Sequence, residues 1–496
     1  MIGYAFPDSK IKEILYKNSE VIFIDEKGFW GFNIESETRV LLTTLNNFDD
    51  LHLFDSTKAK KYLEWYMPLW TRWVPHADQY ENKKEESLIK IYNIFSMLNC
   101  LNIDGVIFNT SVVHHLDSSF LSIACHLKKI DQIYLYAQTI NGRLLPILQT
   151  SDIQSRQRLN LEVSNYSFEK ELKEFLKNKE DLVPRFEIEE NSPFKKKNIY
   201  IEYFFKKFFK NWNKNYLIAL LFLIRRKIYS LIVRTKTRNL QINYLTSKNL
   251  ESYSTLEDFR QINIHRLFLR NLSSKIISKN EIKNLKSQNK PFLLIAAHYQ
   301  PEATSFPEGD KYHNHVNIAM LLREKKYRSP ILYKEHPHIY TYLSKYVGLT
   351  KVGISRSVNY LKILNDLGCK FLPTTFDLSL KNDNDWYVPV TITGTIALER
   401  SLAGLHTIYT GNPWYKGLPG TIYIDDVETL DQIPPKWCKK DYNIKKEAMI
   451  FMNEILNHKT FSNVSGIASG QPEISKNNIE DFKKGISKTI EWFKSN

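Results

Sequence analysis

Cysteine is scarce: four residues in 496 (Cys100, Cys125, Cys369, Cys438), far apart and without metal-type spacing. A reduced compartment fits this better than a disulfide framework. Long apolar runs are missing too. The longest, Tyr216–Ile224, is nine residues, well short of the roughly 18–20 that cross a bilayer. The opening MIGYAFPDSKIKEILYKN has no basic region followed by an apolar one, so no signal peptide is read. No GxxxxGK[ST] pattern occurs, which excludes a P-loop. A cytoplasmic protein is expected. Acid is in deficit, 54 Asp and Glu against 69 Lys and Arg, for a net charge of +15. An acidic partner is therefore expected: a nucleotide, an anionic glycan, a lipid surface or nucleic acid.

What is present divides the chain into four parts. The 43% hydrophobic content is ample for buried cores. Residues 1–190 read as a Rossmann-like domain. EVIFID (Glu20–Asp25) and RVLLTTL (Arg39–Leu45) are short strands with a turn-rich KGFWGF between them that suits a hairpin. Ser56–Tyr80 is dense in Trp and Tyr, as a packed helix or a sugar-stacking platform would be. Glu85–Leu101 has helical periodicity, with Leu88, Ile91, Ile94, Phe95 and Leu98 on one face. A strand in DGVIFNTS, a helix over Phe120–Leu127 and a strand QIYLYAQ follow. That alternation predicts a parallel sheet. His114, His115 and Asp117, after the first of these strands, and Gln138 and Arg143, after the second, sit where such a sheet binds ligands. The histidines are adjacent rather than four apart, so no metal is expected. Asp117 serves equally as an N-cap.

Residues 191–285 read as a basic aromatic helical insert. Its core, Phe194–Arg238, interleaves Lys and Arg with Phe, Tyr, Trp, Leu and Ile. Such a stretch either lies in the headgroup plane of an anionic membrane or packs on the protein with its lysines in water. No nucleic-acid motif accompanies the charge, so nucleic acid is not expected. Residues 286–435 resume the strand–helix alternation. FLLIAA (Phe292–Ala297) is a buried strand ending in HYQPEATSFPEG, where Pro301 and Pro307 stiffen the loop that carries Glu302. Val316–Glu324 is a helix. PILYKEHP delivers Lys334, Glu335 and His336, and Pro337 turns the chain. Val358–Leu367 is a helix between strands KVGIS and CKFLPTT. PVTITG runs directly into the helix TIALERSLAG, and HTIYTG (His406–Gly411) reads as the last strand.

The chemistry concentrates at these strand ends. A Thr-Gly-Thr turn at Thr393, Gly394 and Thr395 opens a helix whose free N–H groups and dipole suit a phosphate. His336 can donate to the same oxygens. Lys334 is either a second cation for that anion or a solvated strand residue. Glu302 and Glu335 are the candidate carboxylates for acid–base or nucleophilic work. Residues 436–496, with helical stretches at Lys445–His458 and Ile479–Phe493, read as helices crossing back onto the first domain.

The set HYQPEATSFPEG, YKEHP, and TGTIALE followed by GNPWY resembles bacterial capsule and surface-polysaccharide biosynthesis proteins, among them the Kdo transferases, over about Phe292–Tyr415. The grouping of an acidic, a His-Pro and a Ser/Thr motif is also similar to bacterial CMP-sialic acid transferases. That resemblance implies an α/β, GT-B-like fold, with two Rossmann-like domains facing across a cleft. It implies a glycosyltransferase that moves an acidic sugar from a CMP donor onto a surface glycan. No metal cofactor is expected, and the basic aromatic stretch adds the expectation of peripheral work at the inner face of the membrane. His336 and Pro337 would hold the donor phosphate, Thr393–Thr395 would complete the cradle, Glu399 would face the nucleoside, and Glu302 would be the catalytic carboxylate. The other readings are a different nucleotide-sugar reaction on the same fold, such as epimerisation, and a noncatalytic capsule export or assembly factor.

Overall fold

A computed structural model of the chain describes residues 2–4, 22–25, 28–30, 51–70, 80–100, 105–108, 116–137, 143–149, 156–161, 172–173, 267–288, 290–298, 308–336, 356–378, 386–462 and 476–495. These form a mixed α/β structure on two sheets.

The first sheet contains β1 (Ile2–Tyr4), β2 (Ile22–Asp25), β3 (Gly28–Trp30), β4 (Gly105–Phe108), β5 (Asp131–Ala137), β6 (Leu144–Gln149) and β7 (Arg156–Arg158), in the order β3-β2-β1-β4-β5-β6-β7. Strands β2, β1, β4 and β5 pair in parallel, and β3, β6 and β7 are added by antiparallel pairings with β2, β5 and β6. The expected hairpin in KGFWGF is β2–β3, while Arg39–Leu45 lies outside the described residues. Three strands were not expected. IGY is too short to show a period, RQR carries no apolar residue, and LLPILQ holds a proline, which strands disfavour. Pro146 nevertheless sits in β6, where its carbonyl accepts from Leu159 N–H at 3.1 Å. Helices α1 (Ser56–Trp70), α2 (Tyr80–Cys100) and α3 (Leu116–Lys128) pack on one another. A buried chain of hydroxyls, Tyr66–Ser122–Tyr134, ends where Tyr134 donates to Gln132 Oε1 at 2.8 Å. It satisfies polar groups that burial would otherwise penalise.

The second sheet is parallel throughout: β8 (Phe292–Ala296), β9 (Ile331–Lys334), β10 (Cys369–Leu372), β11 (Tyr387–Thr391), β12 (Thr407–Tyr409) and β13 (Thr421–Tyr423). Its order is β10-β9-β8-β11-β12-β13. Counted within the sheet this is 3-2-1-4-5-6, compatible with a Rossmann-like arrangement in which the winding reverses between β8 and β11. The strand expected to be last is therefore followed by another. TIYID, short and half-exposed on β13, gave no buried-strand signal.

Helices cover both faces, which is why the strands read as continuous apolar runs. On one face α5 (His315–Glu324) and α6 (Val358–Asp366) pack against Leu293, Ile295, Tyr333, Phe371, Val388 and Val390. On the other, Leu285 of α4 (Lys279–Lys286) packs with Phe292, Leu294, Leu332, Leu372 and Tyr387. The guanidinium of Arg400, in α7 (Thr395–Leu402), lies over the Tyr387 ring and puts α7 on this second face. Residues 267–275 are helical, and Phe268, Leu269 and Leu272 are buried in the α5–α6 side of the core. The end of the expected insert is thus part of this second core.

Two further helices, α8 (Tyr442–His458) and α9 (Lys476–Ser495), join the halves. Ala448, Met452 and Ile455 of α8 pack with Leu398 of α7 and with Leu145 and Ile147 of β6. Phe482, Ile486, Ile490 and Phe493 of α9 pack on Ile107, Ile133 and Leu135 of the first sheet. Gly105 leaves room for the Phe493 ring, which a Cβ would strike. Among the described residues no helix is long and apolar enough to cross a membrane. Phe194–Arg238 lies outside the described residues.

Candidate functional site

Every strand of the second sheet points its C-terminus to the same edge, so Ala297–His298, Lys334–His336 and Thr391–Thr395 emerge on neighbouring strands. The crevice beside the winding reversal is where such sheets bind ligands. Here it lies between the ends of β8 and β11, and His298 bridges them. Its Nε2 accepts from Thr393 N–H at 3.3 Å, and its own N–H donates to His315 Nε2 at 3.0 Å. Each ring therefore carries its proton on Nδ1 when neutral, and neither Nδ1 has a partner among the described residues. Burial, then the charges of His336 and Arg356, lower His298 to about 3. Burial lowers His315 well below its ordinary value, with Arg356 next in effect. Both rings are neutral near pH 7.

Beneath them sits a buried ion pair. Arg356 Nε donates to Glu335 Oε2 at 2.7 Å and Nη2 to Oε1 at 3.2 Å, while Nη2 also donates to the His298 carbonyl at 3.1 Å. Tyr333 OH and His336 N–H donate to the same carboxylate at 2.8 and 2.9 Å. Burial works to raise the Glu335 carboxyl, but the Arg356 charge and these hydrogen bonds hold it below its usual range. Tyr360 completes the group, bonded to Tyr333 OH and lying beneath the Arg356 guanidinium at 4.8 Å. Glu335 is thus turned onto the α5–α6 face and fully occupied. The expectation that it meets a donor or supplies a catalytic carboxylate is corrected to an anchoring role.

Strand alternation sends its neighbour the other way. Lys334 lies on the α4–α7 face, is 8% exposed, and has no hydrogen-bond partner among the described residues. It is not a solvated strand residue. Burial lowers it to about 8, with the charges of Glu335 and Asp377 offsetting part of the effect. His336 is half-buried.

At the end of β11, Gly394 N–H donates to Thr391 Oγ1 at 3.2 Å and the Gly394 carbonyl accepts from Tyr415 OH at 2.7 Å. A Cβ on Gly394 would press on both Thr391 Oγ1 and His298 Nε2. Helices α4, α5, α6 and α8 start with side-chain caps from Ser278, Asn314, Ser357 and Asp441. Helix α7 starts at Gly394 with none. Among the described residues nothing accepts from the N–H groups of Thr395 and Ile396. Those orphan donors and the helix dipole favour an anion. Thr393 is buried beside them, while Gly394, Thr395 and Glu399 are half-buried.

Arg143 goes elsewhere. It donates to Thr460 Oγ1 at 2.7 Å, to the Thr460 carbonyl at 2.9 Å and to Asp481 at 3.1 Å, while Leu144 and Phe461 exchange backbone hydrogen bonds beside it. It joins β6 to the α8–α9 connection, and the acceptor role expected of it is corrected to a joint between the halves. Asp117 is the second residue of α3. Glu302, Pro337, His114, His115 and Gln138 lie outside the described residues. Sequence reasoning did not single out His298, although it directly follows a buried strand. Nor did it single out Arg356, which directly follows the expected strand KVGIS. Comparison with protein-family models, with curated proteins and with solved structures returns no match to this chain.

Proposed function

We propose that the protein is a glycosyltransferase of GT-B layout, which seats the phosphate of a nucleotide-sugar donor at the opening of α7 and passes the sugar to a glycan. The observation that carries this reading is the uncapped α7 N-terminus at the reversal of a 3-2-1-4-5-6 sheet, where nucleotides are bound by such sheets. The N–H groups of Thr395 and Ile396 and the Thr393 hydroxyl take the phosphate oxygens, with His336 beside them. Donors already in place strengthen as charge develops on the departing phosphate, which lowers the barrier more than it tightens the ground state. With Glu335 committed to Arg356, the carboxylate next to the anomeric carbon is assigned to Glu302. His114, His115, Asp117 and Gln138 are assigned to the acceptor. The motif resemblance narrows the donor to a CMP-activated acidic sugar and the acceptor to a capsular or surface glycan. Phe194–Arg238 is assigned to an anionic membrane surface.

A thermal-shift panel of CMP, UDP, GDP and their sugars tests this reading. A ligand at about 100 times its Kd adds about 2.7 kcal/mol to the folded state. One nucleotide series should raise the melting temperature, and Glu302→Gln should keep that shift while losing transfer. Glycan binding with no response to any nucleotide would mark an export or assembly factor instead.

A further inference from the structure

We propose that Lys334 and the opening of α7 form one site for a dianionic phosphate, with the ammonium reaching over Ala296 to the anion, and that occupation of this site takes up a proton. The proposal rests on the reading that a nucleotide phosphate sits at α7, and it names what the site demands of that phosphate. Lys334 pairs in register with Leu372 on one side and Ala296 on the other. The β8–β11 register, Ile295 opposite Val390, sets Ala296 beside Thr391 one step further on. Lys334, Ala296 and Thr391 therefore form a row across three strands, on the face that carries α7. Neighbouring strands lie about 4.8 Å apart, so Lys334 and Thr391 start about 10 Å from each other with only a methyl group between them.

A lysine buried to this degree with no partner holds its charge at a cost, and an anion beside it removes that cost. Glu335 cannot do so, because both its oxygens face Arg356 across the sheet. The other charged groups on this face include Lys370 on β10, exposed and in register with Leu332, Asp377 after β10, Lys286 on α4, and Glu399 and Arg400 on α7. Lys286 lies over the Trp386 ring and Arg400 over the Tyr387 ring, and the acids whose charge acts on Lys334 are Glu335 and, from the segment after β10, Asp377. Burial brings the empty-site ammonium to about 8. Near that pH about half the molecules carry the proton, and an anion that restores it draws in about half a proton per site.

The test is titration calorimetry of the full chain with sulfate and with inorganic phosphate near pH 8, in two buffers of different ionisation enthalpy. Sulfate is a dianion throughout, so any proton taken up goes to the protein. Wild type should take up about half a proton per sulfate. Lys334→Arg, which stays charged, should bind with no uptake. Lys334→Met should bind about tenfold or more weakly, the loss expected for a charged hydrogen bond. Zero uptake by wild type, or undiminished uptake by Lys334→Arg, overturns the proposal even if the methionine variant does not fold. If CMP, UDP or GDP binds while uptake is absent, this inference falls alone. If no nucleotide and neither anion binds, the nucleotide-site reading falls with it.

Discussion

Replacing Arg356 by methionine removes a guanidinium that is 1% exposed from a carboxylate that is fully buried. Two of the donors to Glu335, Tyr333 OH and His336 N–H, remain, but the compensating charge does not. Breaking a buried pair in this way costs about 3–5 kcal/mol, most of it the penalty of a stranded charge. The lost hydrogen bond to the His298 carbonyl adds about 1 kcal/mol. The stranded carboxyl is expected to titrate upward, above its unfolded value. Its protonated form then supports the fold at low pH, and that support is lost as pH rises. Arg356→Met should therefore be more damaging at pH 8 than at pH 6, opposite to the usual behaviour of an ion-paired acid. Adding Glu335→Gln should recover about 2 kcal/mol or more, because the amide leaves no charge behind. Urea unfolding followed by circular dichroism across the four species gives the coupling energy. A cost below about 1 kcal/mol for Arg356→Met, or single effects that simply add, would refute an anchoring pair. Nucleotide binding retained by the double variant would separately exclude Glu335 from the site.

The histidines predict acid lability. His298 titrates at about 3 in the folded state and near 6.5 unfolded, so below pH 6.5 only the unfolded chain gains the proton. Stability falls as pH drops, by about 2 kcal/mol from pH 7 to 5 for this group alone, and His315 adds to the slope in the same direction. His298→Leu should flatten the urea midpoint against pH, and an unchanged slope would remove His298 from the account. Arg143→Met should cost about 2 kcal/mol by stranding the Thr460 carbonyl and Asp481 yet leave nucleotide affinity unchanged. A specific loss of acceptor binding at full stability would return Arg143 to the acceptor role. Liposome flotation should separate the native chain from a variant with the Phe194–Arg238 charges reversed, and equal flotation removes the membrane assignment.

Much of the second sheet was legible because a strand buried on both faces is a short apolar run, and FLLIAA and ILYK are such runs, while PVTITG caught only the end of the strand that runs Tyr387–Thr391. The α7 turn was legible too: Thr-Gly-Thr ahead of a helical period leaves few other uses for its N–H groups. Within KEH, however, three adjacent polar residues at one strand end looked equivalent. Period-two alternation says that Lys334 and Glu335 face opposite ways. It does not say which of them meets Arg356, 21 residues beyond Glu335 and just past KVGIS. Burial then does opposite things to the two neighbours. Glu335 has a partner and becomes an anchor, whereas Lys334 has none among the described residues and stays poised for an anion.

The sequence by itself determined the α/β alternation, the opening of α7 and the polar strand ends, because these depend on period, capping and turn chemistry within a few residues. Tertiary structure alone decided the strand order, the added strands β1, β6, β7 and β13, the seat of the tail on the first sheet and the diversion of Arg143 to a joint. Each of those is a pairing between distant segments, selected by which surfaces fit and which buried charges find partners, and no local pattern encodes that choice.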